Sequence, residues 1–380
     1  MINIQDPSQC CGCTACYAKC NHNAIDMRPD ALGFLYPHVD PDKCMNCGQC
    51  DNVCAFYGRT RNNETLTIDA YAVRHKEENQ IRTSRSGAVF IALSDWVLNQ
   101  GGVVYGVGFH DGFKVAHKRA TTSLQRDEFK GSKYAQSAVG DIFVNVKRDL
   151  SANLIVLFSG TPCQVDGLKS FLGEKASTPN LYLLDIVCHG VGSPAVWKDY
   201  ISYLEKKENQ RIRSLSFRDK ALFGWNGLHK ESFVFEDGKK RTYQYTYYSD
   251  IHLRQSCYVC PYANLNRVSD ITIGDLWGWE RVCSDWPNAV MGISLTLCNS
   301  EKGKRWLTQV QSMLELRRVS VSDVLQHNLL NPTALPVERV QFEKDYSKYG
   351  FRYVLNKYGE VGFKFYINRI MRLFKRILKR

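Results

Sequence analysis

No stretch of this 380-residue chain approaches the roughly 20 consecutive apolar residues that a membrane-spanning helix needs. Its opening, MINIQDPSQCCG, lacks the basic n-region and apolar h-region of an export signal, so a reducing, cytoplasmic setting is expected. A basic stripe interleaved with aromatics is also missing, although the formal net charge is +12. Residues 1 to 60 carry four basic and six acidic side chains, whereas residues 351 to 380 carry nine basic and one acidic. The tail thus holds +8 of the +12, and no nucleic-acid partner is expected from a nearly balanced body; a nucleic-acid-binding iron–sulfur protein is a distant alternative. What remains, at 44% hydrophobic and 23% charged, is an ordinary globular composition with length for two or three domains.

Cysteine is not scarce. The chain has 15, and two runs share one spacing: CCGCTACYAKC (10 to 20) and CMNCGQCDNVC (44 to 54). Both contain C-x2-C-x2-C-x3-C, from Cys10, Cys13, Cys16 and Cys20 and from Cys44, Cys47, Cys50 and Cys54. An odd total, no export signal and a chain long enough to bury a core all argue against a disulfide framework. Zinc sites combine two separated pairs and do not need a further cysteine three residues on. A cubane iron–sulfur cluster has four corners, and a tight C-x2-C-x2-C loop wraps three. The doubled run resembles the bacterial two-cluster ferredoxin domain, in which the fourth cysteine of each run ligates the other cluster. That resemblance implies one [4Fe–4S] cluster on Cys10, Cys13, Cys16 and Cys54, and a second on Cys44, Cys47, Cys50 and Cys20. The proline that usually follows the fourth cysteine is replaced by Asn21 and Ala55, which alters a turn and not a ligand. Cys11, Cys283 and Cys298 receive no role.

The polar linker GRTRNNETLTID (58 to 69) closes this unit. Beyond it, AYAVRH, VVYGVGF, FKVAHKRA, LIVLFSG, NLYLLDIVCHG, LSFRDK, ESFVFEDGKKRTYQY and DITIGDLWG read as strands, with a hairpin at Asp237-Gly238. SGAVFIALSDWVLNQ (86 to 100), VDGLKSFLG and SPAVWKDYISYLEKK read as helices, the last with Ser193 as N-cap and Pro194 at the first position. The expected fold is therefore α+β / α/β: a two-cluster ferredoxin domain (1–58), a mixed-sheet α/β core (69–335) and a helical tail (336–380). Ligands are expected at the carboxyl ends of the core strands. Those ends carry Cys163 and Cys188, and a C-x2-C adds Cys257 and Cys260. Spacing alone leaves three readings open: a shared metal centre, buried apolar thiols, or zinc on the C-x2-C.

SRSGAVFIAL (84–93), KGSKYAQS (130–137), SGTPCQVDGLKSFL (159–172), IVCHGVGSP (186–194), the C-x2-C and SDITIGDLWG (269–278) occur in this order. Together they resemble the beta-subunit family of coenzyme F420 hydrogenases and dehydrogenases, over about residues 69 to 300. The resemblance implies an iron–sulfur flavoprotein that passes electrons between clusters and FAD, and exchanges hydride with a deazaflavin or another small molecule. It places FAD near Ser84, Arg85, Ser86 and Gly87, near Gly131, Ser132 and Lys133, and near Gly160 and Thr161. It also favours a third [4Fe–4S] cluster on Cys163, Cys188, Cys257 and Cys260. The family often has a second glycine where this chain has Ala88.

Physical chemistry runs the same way. Clusters handle single electrons, and a flavin converts these to hydride. The turns RSGA and GTPC precede helices whose free N–H groups suit a phosphate, although ordinary helix starts look alike. His189 is a candidate proton donor, with a structural histidine as the other reading. Asp275 is a second catalytic candidate, through a flavin ribose or substrate, or else a turn cap. Trp277, Trp279 and Trp286 read as core or pocket wall. The function expected is a redox enzyme acting on a small molecule, supplied by a ferredoxin-like donor; the alternative is an electron-transfer subunit feeding a partner oxidoreductase. Bacterial relatives suggest a cell-surface polysaccharide pathway. In the tail, Phe363, Tyr366, Ile367, Ile370, Phe374, Ile377 and Leu378 fall on one helical face among basic residues. Such a helix packs on its own domain, lies on the anionic inner face of a membrane, or meets a protein or nucleic-acid partner.

Overall fold

The computed structural model describes residues 1–56, 68–227 and 229–359. Most of the 58–69 linker and the basic helix read at 363–380 lie outside the described residues. Near the N-terminus, β1 (Ile25–Pro29) and β2 (Leu35–Val39) form an antiparallel hairpin between the two cysteine runs. The core begins with β3 (Asp69–His75), β4 (Val103–His110), β5 (Lys114–Ala120), β6 (Val156–Gly160) and β7 (Leu181–Ile186). A separate antiparallel meander follows, of β8 (Ile212–Ser216), β9 (Glu231–Phe235) and β10 (Lys240–Tyr243). Then β11 (Ile271–Asp275), β12 (Ser294–Cys298) and β13 (Leu314–Val319) rejoin the main sheet, whose order is β13-β3-β12-β11-β7-β6-β4-β5.

The four central strands, β4, β6, β7 and β11, run parallel, and antiparallel strands flank them on both sides. Parallel strands must be covered on both faces, which explains the near-continuous apolar runs in β6 and β7. On one face the helices Val89–Asn99 and Glu301–Val310 pack Val89, Leu93, Trp306 and Leu307 onto Val73, Leu157 and Leu184. On the other, Ile142–Ser151 and Pro162–Leu172 pack Phe143, Val165 and Leu168 onto Phe158 and Leu183. Ile2, Cys13, Ile25 and Val53 belong to that second cluster, so the cysteine-rich unit shares a core with the sheet. The unassigned thiols Cys283 and Cys298 are fully buried in apolar clusters.

Ser193 caps the Pro194–Glu208 helix as expected, accepting from the Val196 amide, and its Oγ donates to the Leu32 carbonyl. One side chain thereby starts a helix and anchors the N-terminal hairpin. The segment LSFRDK departs from the strand expectation. β8 ends at Ser216, Arg218 turns to a left-handed φ of 46°, and Asp219 accepts from the Ala221 and Leu222 amides to start a short helix, Lys220–Phe223. At the C-terminal end, Arg339–Tyr349 and Phe351–Tyr358 are helices whose Phe342, Phe351 and Leu355 pack with Trp197 and Tyr200. Among the described residues, no helix is long and apolar enough to cross a membrane.

Two buried charges fix the strand ends. Arg267, 6% exposed, pairs with fully buried Asp185 of β7 at 2.8 Å and also donates to Thr272, Tyr262 and Ile186. This pins the loop after Cys260 to β7 and β11. Arg267→Ala leaves Asp185 buried without its partner, and should destabilise the protein by about 3–5 kcal/mol, read as a lower midpoint of anaerobic denaturant unfolding. In β9, burial pushes the Glu231 carboxyl up to about 8, while one oxygen accepts from the Tyr245 amide. The folded state then binds a proton that the unfolded chain has released, so stability falls as pH rises from about 4.5 to about 8. Glu231→Gln should flatten that decline in pH-resolved melting curves; an unchanged slope would disprove the assignment.

Candidate functional site

Both cysteine runs wind their backbones in the same way. Gly12 and Asn46, each the second residue after the first cysteine, have φ of 70° and 50°. Thr14 and Gly48, each directly after the second cysteine, have φ of 68° and 71° and immediately precede the helices Ala15–Lys19 and Gln49–Asn52. Left-handed turns at matching positions curl each loop around its thiols. The Cys20 thiol does not stay with its own run. With Cys44, Cys47 and Cys50 it lines an open cavity of about 360 Å³, beside Met1, His22 and Met45. Cys54 in turn lies within electrostatic reach of Cys10 and Cys16. Backbone amides donate to sulfur at Cys10, Cys20 and Cys50, from Gly12, Ala24 and Ile2 at 3.4, 3.3 and 3.2 Å.

The four core cysteines also converge. Cys163 sits in the first turn of the Pro162–Leu172 helix, Cys188 two residues past β7, and Cys257 and Cys260 on the loop that Arg267 pins. All four line one cavity of about 500 Å³. Cys11, to which the sequence assigned nothing, lines it as well. Cys11 lies beside Cys13 and Cys163 and draws the Cys163 thiol down, whereas burial pushes the Cys188 thiol up and that of Cys257 up to about 12. Cys13 also packs on the Pro162–Leu172 helix, where a Cβ on Gly167 would meet its sulfur at 2.7 Å. Among the described residues, no three His, Cys, Asp or Glu side chains close around a single ion.

Arg254 and Gln136 complete the junction. Fully buried Arg254 donates Nε to the Cys10 carbonyl at 2.7 Å, Nη2 to the Leu35 carbonyl at 3.0 Å and Nη1 to Gln136 at 2.9 Å, and its guanidinium lies 4.2 Å over the Tyr36 ring. The Gln136 amide donates to the Cys11 carbonyl. Neither residue was foreseen. Gln136 falls inside the KGSKYAQS string and Arg254 stands three residues before Cys257, and those positions were the available signals.

The flavin candidates separate into two places. The 84–87 and 131–133 loops are neighbours, because Lys130 bridges Gln80 and Thr83, and Tyr134 meets Arg218 against Arg85. Within them, Ser86 donates to the Ile293 carbonyl, Lys133 donates to the Glu128 and Lys130 carbonyls, and Gly87 is required because a Cβ would meet the Val73 carbonyl oxygen at 2.2 Å. Ser84 Oγ is buried without a partner among the described residues, and Gly131 and Ser132 are exposed. Ala88 takes a left-handed φ of 65° and stands before a helix start with no side-chain cap. Gly160 and Thr161 lie elsewhere. Thr161 closes a capping box with Gln164 and lines the core thiol cavity.

His189 lines that cavity too, with Nε2 2.5 Å from Asp250 and Nδ1 3.3 Å from Asn328; the Asp250 hydrogen bond raises its pKa. Asp275 does not cap a turn with its side chain. It accepts from Arg218 at 3.0 Å and lies 3.7 Å from Arg85. Trp277 is 37% exposed and stacks on Trp225, which fits a pocket wall, whereas Trp286 lies against Arg74 and Arg317.

Comparison with known proteins agrees with the motif reading. Residues 155–323 match the family model for the C terminus of the coenzyme F420 hydrogenase/dehydrogenase beta subunit, and residues 9–57 match the 4Fe-4S dicluster domain. The chain is thus similar to the dicluster model over its N-terminal segment and to the beta-subunit model over less than half of its length. No curated protein matches it. A chain of the F420-reducing [NiFe] hydrogenase complex from Methanosarcina barkeri is 16% identical, with a TM-score of 0.47, 78% of this chain covered and 93% of that chain.

The crossed arrangement is directly testable. Cys20→Ser should abolish the same cluster signal in low-temperature EPR as Cys47→Ser, and Cys54→Ser the same signal as Cys13→Ser. Loss that instead follows each run by itself would overturn the crossing.

Proposed function

We propose that this protein is an iron–sulfur flavoprotein oxidoreductase that passes electrons between its clusters and FAD to reduce or oxidise a small molecule. The observation that supports it is that Cys11 of the first run lines the same cavity as Cys163, Cys188, Cys257 and Cys260, and packs in one cluster with Cys13 and Cys163. In this reading Cys163, Cys188, Cys257 and Cys260 hold a third [4Fe–4S] cluster. The donor chemistry fits: four thiols, with amide or hydroxyl donors to sulfur from Val191 and Thr161.

FAD fits the adjacent 84–88 and 131–134 loops, where an uncapped helix start, Arg85 and the orphaned Ser84 hydroxyl offer donors. Bound there, it would supply the exchange between single electrons and hydride. Gly160 and Thr161 are better used at the thiol cavity. His189, oriented by Asp250 and Asn328 and partly exposed, is placed to hold a proton at the cavity mouth. Asp275 is the counter-charge of Arg218 and Arg85 and positions them. The domain limits 1–58, 69–335 and 336–380, a ferredoxin-like donor and a place in cell-surface polysaccharide metabolism belong to the same proposal. The last of these rests on motif resemblance alone.

Anaerobic purification with iron quantification and cofactor extraction is the test. Twelve iron atoms per chain are expected, by four-iron stoichiometry roughly eight from the dicluster domain and four from the core. FAD should be released on denaturation. Single serine substitutions of Cys163, Cys188, Cys257 and Cys260 should each remove about four irons. Unchanged iron in all four variants would refute the third cluster, and no flavin even after reconstitution would refute the flavoprotein reading.

A further inference from the structure

Across Tyr134 from the thiols lies a group of cations and indole rings to which the redox reading gives no task beyond Arg85. The loop after β8 brings Arg218 and Lys220 over the 84–88 loop, where Lys220 Nζ donates to the Ile81 and Ser86 carbonyls. Arg85 donates to the Arg218 carbonyl at 2.8 Å and to the Trp225 carbonyl at 2.7 Å. Three cations face one carboxylate, Asp275. Arg218 has only 7% of its side chain exposed, and its Nη1 is used by Asp275 and Tyr134. The opposite edge of the same guanidinium, Nε with Nη2, has no acceptor among the described residues, nor has the buried Trp225 indole N–H.

That free edge is the fork that takes two oxygens of a phosphate or carboxylate side by side. Burying surplus positive charge is costly unless an anion meets it. A dianion balances the three-to-one count better than a monoanion does. Beside the fork, the Trp277 ring lies 5.2 Å from the Arg218 guanidinium and parallel to Trp225 within 10°, 5.9 Å away. It is also partly exposed, so a flat or sugar ring can lie on it.

We propose that Arg218 and Lys220 bind the phosphate or pyrophosphate of a ring-bearing small-molecule substrate, with Trp277 as the ring's platform. This rests on the oxidoreductase reading for calling the ligand a substrate; the anion site stands on the geometry alone. A flavin also carries phosphate, so the test must separate the two sources.

Inorganic pyrophosphate is titrated calorimetrically into the full-length protein as purified anaerobically, and flavin per chain is counted in every variant. One pyrophosphate per chain should bind, Arg218→Gln should weaken binding about 10- to 100-fold, and flavin content should not change. Lys220→Gln, which removes the cation and leaves Arg218 in place, should weaken binding in the same direction and keep a cooperative melting transition. It carries the test if Arg218→Gln fails to fold. No pyrophosphate binding to the wild type, or equal binding by both variants, would overturn the proposal. Loss of flavin in step with loss of pyrophosphate would assign the cations to the flavin's own phosphate and overturn the substrate assignment. Because the readout is binding, absence of redox activity would count against the oxidoreductase reading and leave this one standing.

Discussion

The buried guanidinium of Arg254 is the interaction on which the rest of the arrangement depends. Among the described residues it has no carboxylate within ion-pair distance. Its donors go to the carbonyls of Cys10 and Leu35 and to Gln136, so it is satisfied only when three separate segments arrive together. Removing any one of them leaves part of a buried charge unmet, at a cost of several kcal/mol. Arg254 also sits within the loop that carries Cys257, whose amide donates to the Arg254 carbonyl. Docking of the dicluster domain and placement of the core thiols are therefore one cooperative event. The Arg254 charge also favours the thiolate form of Cys10, against the larger opposing effect of burial.

How much of this the sequence discloses depends on whether a role is carried by side-chain identity or by backbone. The cysteine runs are legible because a cubane's geometry dictates both residue type and spacing. Ser193-Pro194 is legible because a cap needs a hydroxyl and a first-turn position without an N–H. Arg254 is not, since the carbonyls it meets belong to residues of any type. SRSG is legible as a motif but not in its division of labour. Gly87 serves a close approach to the Val73 carbonyl and Ser86 an anchor to Ile293, while Ser84 Oγ and Arg85 Nε are buried without a hydrogen-bond partner among the described residues. LSFRDK misleads because its alternating pattern continues past Ser216, while the Asp219 side chain, by capping the next turn, pulls the chain out of the sheet.

The parallel centre of the sheet decides where chemistry can occur. β6, β7 and β11 are adjacent and point the same way, so their carboxyl ends deliver Cys163, Cys188 and Asp275 to neighbouring positions, with strands about 4.8 Å apart. The segments that follow β6 and β7 line one side of the resulting crevice, and the Cys11 and Cys257–Cys260 segments fold over it. Every functional candidate in the core comes from such a segment or from a loop folded over it.

Between the thiols and the cations stands a wall of tyrosines. Tyr134 and Tyr247 pack with ring centroids 4.6 Å apart, Tyr247 donates to the Gly190 carbonyl beside Cys188, and Tyr134 accepts from Arg218. Burial pushes the Tyr247 hydroxyl far above its usual range, so it stays neutral and adds no charge to either side. A neutral, apolar partition is what two such groups require. Thiols loaded with metal are rich in negative charge, and the Arg85–Arg218–Lys220 group is rich in positive charge. The rings hold the two groups apart by packing, so Arg218 pairs with Asp275 on one edge while its other edge has no acceptor among the described residues.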